Sequence, residues 1–301
     1  MNGLLLLNKS LGLSSNRAMQ QIKRLFRSSK AGHTGSLDPL ASGMLPICLG
    51  EATKFAQYLL DADKSYEVTG LLGIQTKTGD AEGEVLKQQA VPELTRNQLE
   101  SLISEFQGKI LQKPPMYSAL KHQGQPLYRY ALQGIDIERE AREIDISKIE
   151  LIDVALPTFT IRVTCSKGSY MRTLIEDIGH RIGCGAHVIK LHRLSTAGFE
   201  PSEMISLEEL EQLSEDERQK YVLPMDVMVQ QFPVLVLEQQ EATRIAQGQI
   251  LKLQHEISVN TYRLYTGSHE FFGLADYTAE HKLIANRICQ FFAKKSIISK
   301  I

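Results

Sequence analysis

The sequence predicts an α+β fold with a smaller β-rich unit at its C-terminal end. Two observations lead to this prediction. Helix-spaced apolar residues and short alternating runs are interspersed along most of the chain, and the pattern changes near Phe232-Pro233. With 301 residues, of which 43% are hydrophobic, the chain can fill one large core and one small one. We therefore expect one domain over residues 1–232 and a second over residues 233–301.

Three helix starts are indicated by capping residues. Ser14 or Ser15 precedes apolar residues at helical spacing, and the basic side chains of this helix are left on its outer face. Thr95-x-x-Gln98 and Ser206-x-x-Glu209 fit capping boxes, in which the two side chains bond each other's backbone N–H groups. The basic side chains of the first helix are Arg17, Lys23, Arg24 and Arg27.

Strands are predicted where apolar and polar residues alternate. Residues 66–73 alternate before a turn at 79–83, and residues 159–165 alternate before a helix whose apolar positions begin at Leu174. Arg172 is therefore expected in the first turn of a helix, beside the end of a strand. After Phe232-Pro233, a short helix ending at Gly248 precedes further β-like runs, which fit a small barrel-like appendage.

Charge is sorted along the chain, although the formal net charge of −1 argues against a generic nucleic-acid binder. Residues 1–60 carry seven Lys or Arg residues and two acidic residues, and residues 109–134 carry four Lys or Arg residues and no acidic residue. Residues 203–226 show the opposite balance, with two basic and eight acidic residues. Any one basic run fits a solvated helix face. Two acid-poor runs, of which 109–134 also contains tyrosines, fit a phosphate-binding surface with stacking groups better. The Pro-, Gly- and Tyr-rich segment 109–134 is expected to be a long connection without a regular period.

Cysteine and hydropathy patterns exclude several classes of protein. The four cysteines show no C-x-x-C pair and no nearby second ligand pair, which favours buried thiols over a zinc site or a disulfide framework. The early apolar run Leu4–Leu7 is too short for a signal segment or a membrane span. We expect a cytoplasmic protein that needs no membrane and no metal.

Residues 32–43, GHTGSLDPLASG, leave two interpretations open. Asp38-Pro39 fits a helix start, with Asp as the N-cap and Pro at the first helical position. That interpretation gives no reason for the glycines, for His33 or for Thr34. A phosphate-binding loop does not fit, because no Gly-Lys-Ser/Thr follows. The alternative is a catalytic role for Asp38.

The loop, extended to GHTGSLDPLASGMLPICLGEATK, resembles the catalytic signature of the TruB family of pseudouridine synthases. The resemblance covers most of the chain, with further motifs in the family's order: NKSLGLSSN, KSYEVTGLLG, KPPMYSALKHQGQPLYRYALQG, CSKGSYMRTLIEDIG and AHVIKLHRLSTAGF. It implies a central mixed, mainly antiparallel sheet with flanking helices, followed by a PUA-like RNA-binding domain. It also implies an enzyme that isomerises uridine 55 in the T-arm of tRNA, and an RNA-clamping insertion at about 109–134.

The same resemblance implies a role for individual residues. Asp38 would be the catalytic carboxylate, Tyr66 the aromatic residue that stacks on the target base, and Arg172 the partner of Asp38. His33 would lie near the flipped nucleotide, Tyr170 and Leu191 would line the base pocket, and Lys9 would have a supporting role. The departures from the family are Ser10, Ser36, Ser42, Ser169 and His192. His192 stands where arginine is frequent and weakens one expected phosphate contact.

Each of these residues also has a structural alternative. Tyr66 fits a half-buried strand position, and Arg172 fits a solvated helix residue. Leu191 fits plain core, His33 fits a turn, and Tyr170 fits a packing anchor. The resemblance, and not the spacing, favours the functional interpretation.

The chemistry agrees with a single carboxylate and no cofactor. Uridine becomes pseudouridine when the C1′–N1 bond breaks, the uracil rotates and C5 joins C1′, without net oxidation or hydrolysis. An ionised carboxylate can act at the sugar as a nucleophile or as a base, and a neighbouring guanidinium favours its charged form. The expected partner is tRNA, bound by a monomer. The competing hypothesis is a non-catalytic tRNA-binding or tRNA-folding protein that uses the same basic surfaces.

Overall fold

A computed structural model describes residues 1–253, 256–290 and 292 of the chain. The strands of these residues are β1 Gly3–Lys9, β2 Ala31–His33, β3 Ala41–Leu49, β4 Lys64–Leu72, β5 Ile74–Thr76, β6 Val85–Gln88, β7 Gly108–Gln112, β8 Lys121–His122, β9 Gln125–Pro126, β10 Arg142–Ala155, β11 Thr158–Cys165, β12 Ala186–Thr196, β13 Ile205–Ser206, β14 Val222–Leu223, β15 Val234–Leu237, β16 Leu251–Lys252, β17 Asn260–Thr266, β18 Phe271–Tyr277 and β19 Lys282–Ile288.

The α-helices of the same residues are α1 Ser15–Leu25, α2 Ala56–Leu60, α3 Arg96–Ser104, α4 Leu127–Leu132, α5 Met171–Ile182, α6 Leu207–Gln212, α7 Glu215–Gln219 and α8 Gln239–Ala246. Short 3-10 helices span Gly50–Phe55, Pro201–Glu203 and Met225–Val229. Within the described residues, no helix is long and apolar enough to cross a membrane.

The large sheet is mixed and mainly antiparallel, as the resemblance implied. Its main strand order is β13-β1-β3-β12-β4-β11-β10-β7, with β14 added to β1 and β2 added to β3. The pairs β3–β12 and β1–β13 are parallel, and the other pairs are antiparallel. The Asp38 loop therefore leads directly into β3, an inner strand of the sheet that lies between β1 and β12.

Capping chemistry fixes the helix starts where the sequence predicts them. The Ser14 side chain accepts a hydrogen bond from the Arg17 N–H, and α1 begins at the next residue. The predicted capping boxes are present at the starts of α3 and α6. The predicted acidic helix after Ser206 is divided into α6 and α7, because Leu213 leaves the helical conformation and Ser214 opens a new capping box.

The apolar run at the N-terminus is buried on both faces of the sheet. Leu5 and Leu7 pack into the main core with α1 and α5, while Leu4 and Leu6 pack into a second cluster. That second cluster also contains Phe55, Met228 and Phe271, so it joins the large sheet to the C-terminal part of the chain. Alternate side chains of a strand point to opposite faces, which explains why an uninterrupted apolar run is needed here.

A second sheet of five strands forms after residue 233, in the order β15-β17-β18-β19-β16. It has its own core, built round Leu264, Phe272 and Leu283, and α8 packs against it. This sheet is consistent with the expected PUA-like domain. Residues 254, 255, 291 and 293–301 of the predicted second domain lie outside the described residues.

The structure excludes one of the two interpretations of residues 32–43 and corrects the prediction for segment 109–134. Asp38-Pro39 does not begin a helix: Pro39 and Leu40 form a turn, closed by a bond from the Ala41 N–H to the Asp38 carbonyl, and β3 follows at once. Segment 109–134 is not an irregular connection. Residues 109–112 belong to β7, which pairs with β10, and the rest of the segment contains the β8–β9 hairpin and α4.

Candidate active site

Short backbone contacts hold the loop that carries Asp38. The Ser15 hydroxyl at the start of α1 donates to the Leu37 carbonyl (2.9 Å) and accepts from the Leu37 N–H (2.7 Å). The Gly12 N–H donates to the Pro39 carbonyl (2.8 Å). Both neighbours of Asp38 are therefore fixed by residues from elsewhere in the chain.

Arg193 of β12 fixes the two ends of the same loop. Its guanidinium donates to the Gly35 carbonyl (3.1 Å) and to the Met44 carbonyl (2.6 Å). At Gly43, φ is +98°, and a Cβ would lie 2.3 Å from the Arg193 carbonyl oxygen. A side chain at position 43 is therefore excluded by both backbone strain and contact.

Arg172 lies in the first turn of α5, as the sequence predicted, and its side chain is 6% exposed. Its Nη2 is 3.0 Å from Asp38 Oδ2, and its Nη1 is 3.8 Å from Asp80 Oδ2. It also donates to the Thr78 carbonyl (2.9 Å) and the Tyr117 carbonyl (2.6 Å). One buried cation thus joins three loops to the start of α5.

Asp38 lies at the floor of an open cleft, so 40% of its side chain remains accessible although protein surrounds it. Burial raises the pKa of Asp38, and Arg172 opposes this shift. Asp80, whose side chain is 5% exposed, adds a second carboxylate that raises the Asp38 pKa further. Asp38 is therefore accessible from the cleft, and Arg172 is the main group that opposes the rise of its pKa.

Tyr66 is the third residue of β4, and cross-strand pairing places it next to Arg193. Tyr66 is 8% exposed. Burial raises the pKa of its hydroxyl, and the neighbouring Arg193 guanidinium partly offsets the shift. The phenol is therefore protonated at neutral pH, beside a buried cation.

One cleft of about 300 Å³ contains five of the predicted site residues. They are Asp38, Tyr66, Tyr170, Arg172 and Leu191. A volume of this order is at the lower end of ligand pockets, which range over roughly 300–1,000 Å³. The structure thus brings together residues that are up to 153 positions apart, from Asp38 to Leu191.

His33 and Lys9 lie at the edges of this arrangement. His33 lines an adjoining cleft that also reaches Asp38, Asp80 and Arg172, and its buried Nδ1 has no hydrogen-bond partner among the described residues. Burial and then Arg193 lower the His33 pKa. Lys9 is 1% exposed, lines neither cleft, and donates to the Ser10 and Leu13 carbonyls (2.9 and 2.7 Å). It supports the chain behind the loop.

Sequence reasoning missed Arg193, Asp80 and Lys64 as residues of the site. Arg193 and Lys64 line the cleft, and Asp80 lies behind Arg172. Burial lowers the pKa of Lys64 and of Lys9 to about 8. A sequence signal existed for Asp80, which lies in a Gly-bounded turn, but the partners of Arg193 are carbonyls that are distant in the chain.

His192, one departure from the family pattern, pairs with another. The Ser42 hydroxyl and His192 Nδ1 are 2.9 Å apart across β3 and β12. Burial lowers the pKa of His192, so this ring is neutral at neutral pH.

Candidate metal ligands and reactive thiols are absent from the described part of the chain. Those residues contain no group of three or more His, Cys, Asp or Glu side chains that could hold a metal ion. All four cysteines are free and buried, as the sequence predicted. Besides Asp38 and Arg172, the charged residues that line the cleft are Lys64 and Arg193.

Solved structures share this fold. A crystal structure of a Cbf5–Nop10–Gar1 complex matches with a TM-score of 0.70 and 24% identity, over 95% of this chain and 83% of that one. A crystal structure of the archaeal box H/ACA sRNP Nop10–Cbf5 complex matches with a TM-score of 0.71 and 22% identity, over 97% and 88%. At this identity, the matches establish the fold alone.

Sequence comparisons go further. The family model for the N-terminal domain of TruB family pseudouridylate synthase matches residues 23–171. Two C-terminal models of the same family match residues 172–230 and 233–289. A tRNA pseudouridine synthase B from Marinomonas sp. (strain MWYL1) is 50% identical over 91% of this chain and 90% of that protein. Another, from Coxiella burnetii (strain Dugway 5J108-111), is 45% identical over 96% and 95%.

The fold, the carboxylate cleft and these matches define the class of protein: the chain is a pseudouridine synthase, an isomerase that acts on tRNA. Within this class, the chain belongs to the TruB family.

Proposed function

We propose that the target is uridine 55 in the T-arm of tRNA, and that Asp38 is the catalytic carboxylate. The observation that carries this proposal is the ion pair between Asp38 and Arg172 at the floor of the cleft, with 3.0 Å between Oδ2 and Nη2. A carboxylate that is accessible from the cleft, and whose charge is supported from behind, suits chemistry at a sugar. A helix-capping role does not account for Asp38, because no helix begins there.

Asp38 acts at the ribose of the flipped nucleotide. Two routes balance the reaction: attack of the carboxylate on C1′, or removal of a proton from the sugar, with the C1′–N1 bond breaking in either case. The uracil then rotates and C5 bonds to C1′. In the first route this step breaks the bond between C1′ and the Asp38 carboxylate, and in the second route the removed proton returns to the sugar. The C5 proton is lost and N1 is protonated. No electrons are gained or lost, so we propose that the reaction needs no cofactor and no metal. A deuterium isotope effect at C2′ tests proton removal there.

Tyr66 stacks on the target base and receives the C5 proton. Removing a base from its stack costs a few kcal/mol. Stacking on an aromatic side chain recovers about 1–3 kcal/mol per base. The hydroxyl is protonated in the free protein, so it takes the C5 proton only after it has given its own proton to N1 of the uracil, and Arg193 beside it favours the phenolate that forms in between. Tyr170 and Leu191 complete the pocket for the base.

RNA binds over two acid-poor surfaces. The basic side chains of α1 are directed away from its buried face, which contains Ala18, Met19 and Ile22. Segment 109–134 supplies four more cations and tyrosines, and we propose that it clamps the RNA. Residues 233–301 act as the PUA-like RNA-binding domain. We further propose that the protein acts as a monomer in the cytoplasm, and that His33 and Lys9 support binding at the cleft.

Release of tritium from C5 of labelled uridine in tRNA tests the proposal. Wild-type protein should release tritium from tRNA and from an isolated T-arm stem-loop, and should release none when cytidine replaces uridine at position 55. Asp38→Asn should bind the same RNA without release. Release that persists from the substituted tRNA would place the target elsewhere.

The competing hypothesis, a tRNA-folding protein that needs no chemistry, predicts no tritium release from the wild type. If tRNA folding is the role, Asp38→Asn should refold a misfolded tRNA as well as the wild type does. A fluorescence assay of tRNA folding, run beside the tritium assay, separates the two activities.

A further inference from the structure

The buried side chain of Gln112 holds the start of the helix that carries Arg172. Gln112 is the last residue of β7 and is 2% exposed. Its Oε1 accepts from the Tyr170 N–H (2.7 Å), and its Nε2 donates to the Tyr170 carbonyl (3.1 Å). The side-chain amide of Gln112 therefore bonds both backbone groups of Tyr170, as the backbone of a neighbouring strand would.

Tyr170 precedes the first residue of α5 and has no side-chain cap of its own. Helix starts leave unbonded N–H groups, and a side chain usually satisfies some of them. Here Gln112 bonds the backbone of the capping residue itself. The next residues of the helix are Met171 and Arg172, so a shift of Tyr170 would displace the cation that pairs with Asp38.

The segment that follows Gln112 contacts the same helix turn twice more. The Thr173 hydroxyl donates to the Lys113 carbonyl (3.5 Å), and Arg172 Nη2 donates to the Tyr117 carbonyl (2.6 Å). Residues 112–117 are thus bonded to Tyr170, at the N-cap of α5, and to Arg172 and Thr173 in its first turn, and segment 118–134 follows directly in the chain. A displacement of this segment would therefore shift Arg172, and with it the Asp38–Arg172 pair, through these hydrogen bonds.

We propose that Gln112 is a positioning residue for pseudouridine formation. It sets the places of Tyr170 in the base pocket and of Arg172 beside Asp38, and it joins the RNA-contacting segment to the groups that perform the reaction. This inference rests on the proposed function of Asp38 and Arg172. It differs from a packing role because an apolar side chain of equal length cannot replace it.

Gln112→Met tests the inference, since methionine keeps the length of the side chain and removes both hydrogen bonds. At saturating T-arm RNA, we expect the single-turnover rate constant to fall by roughly 10-fold to 100-fold, the scale of a misplacement of about 1 Å. The dissociation constant for the RNA should change by less than about 3-fold, because RNA contacts elsewhere are intact. Gln112→Glu keeps the acceptor for the Tyr170 N–H and loses the donor, so its rate should lie between those of the wild type and Gln112→Met.

Gln107→Leu is the matched control. Gln107 immediately precedes β7, and its amide donates to the Ser147 carbonyl (3.3 Å) without touching α5. Its substitution should leave the rate unchanged. Thermal unfolding checks that each variant is folded before its rate is compared.

Hydrogen exchange in the free protein provides a second readout that does not depend on activity. The Tyr170 amide should exchange faster in Gln112→Met than in the wild type. Unchanged exchange would show that Gln112 does not stabilise this part of the backbone. Faster exchange together with a wild-type single-turnover rate constant would show that these hydrogen bonds do not contribute to the reaction. A wild type without activity would instead contradict the proposed function.

Discussion

Replacing Arg172 with methionine leaves two carboxylates and two backbone carbonyls without their shared donor. The Arg172 side chain is 6% exposed and that of Asp80 is 5% exposed, so water cannot solvate the Asp80 carboxylate when Arg172 is removed. Breaking a buried ion pair from one side costs about 3–5 kcal/mol, because the remaining charge stays buried and uncompensated. We expect Arg172→Met to lower the free energy of unfolding by that amount, about 3–5 kcal/mol.

Asp80→Asn is the matched partner for a double-mutant cycle. Asp80 Oδ1 accepts from the Thr78 hydroxyl and from the Glu82 N–H (3.1 Å), and asparagine keeps an oxygen for these bonds while losing the charge. The double variant Arg172→Met/Asp80→Asn should therefore be more stable than Arg172→Met. We expect a coupling free energy of about 0.5–3 kcal/mol between the two sites. Urea unfolding at neutral pH measures all four proteins.

Activity should not recover with stability. Arg172 lowers the Asp38 pKa against burial, so its loss moves that pKa further up. A raised carboxyl pKa means that ionisation, and the rate that depends on it, appears only at higher pH. The acid limb of the tritium-release profile should therefore shift upward in Arg172→Met and in the double variant. A loss of less than about 1 kcal/mol of stability, or a wild-type pH profile, would refute the importance of the ion pair.

Four further outcomes are expected. Asp38→Asn should abolish tritium release and cost less than about 1 kcal/mol in urea unfolding at neutral pH; burial raises the folded-state pKa of Asp38, so its charge opposes folding above that pKa. A loss of several kcal/mol on Asp38→Asn would contradict this sign. Tyr66→Phe should bind T-arm RNA normally and lose roughly 10² or more in single-turnover rate, whereas Tyr66→Leu should also bind more weakly; a wild-type rate for Tyr66→Phe would leave Tyr66 as a stacking platform. Hydrogen exchange in segment 118–134 should slow when T-arm RNA binds, and equal exchange with and without RNA would exclude a clamp. Near pH 8.5, RNA binding should take up protons, because burial lowers the pKa of Lys9 and Lys64 to about 8 and phosphates favour the charged amines; calorimetry in two buffers should show less uptake for Lys64→Met, and equal uptake would exclude Lys64.

Local features of the fold could be predicted from the sequence because neighbouring residues decide them. Ser14, Thr95 and Ser206 each cap a helix through residues three positions away. The buried side of β4 follows simple alternation. In contrast, the dipeptide Asp38-Pro39 is compatible with both a helix start and a turn. The turn forms because of the contact between Gly12 and Pro39 and the pairing of β3, which are distant in the chain.

The site was predictable only where a residue resembles a known motif. Arg193 lies in a strand whose neighbours alternate, and a basic residue in such a strand is typical of a solvent-facing position. It is instead 1% exposed, because carbonyls of Gly35 and Met44 accept its N–H groups. The strand β7 was missed for a similar reason, since its partner β10 begins thirty residues after β7 ends.

Two buried guanidinium groups have different tasks in this cleft, and their partners explain why. Arg193 bonds backbone carbonyls at both ends of the Asp38 loop, so it fixes the conformation of the loop, and its charge disfavours the protonated forms of His33, Lys9 and Lys64. Arg172 bonds carbonyls too, but it also meets Asp38, whose charge must survive burial. Asp38 thus lies among charges of both signs: Arg172 and Lys9 lower its pKa, and the Asp80 carboxylate raises it. Phosphates of bound RNA would add negative charge near Asp38 and raise its pKa, so the Arg172 ion pair is needed to keep this carboxylate ionised.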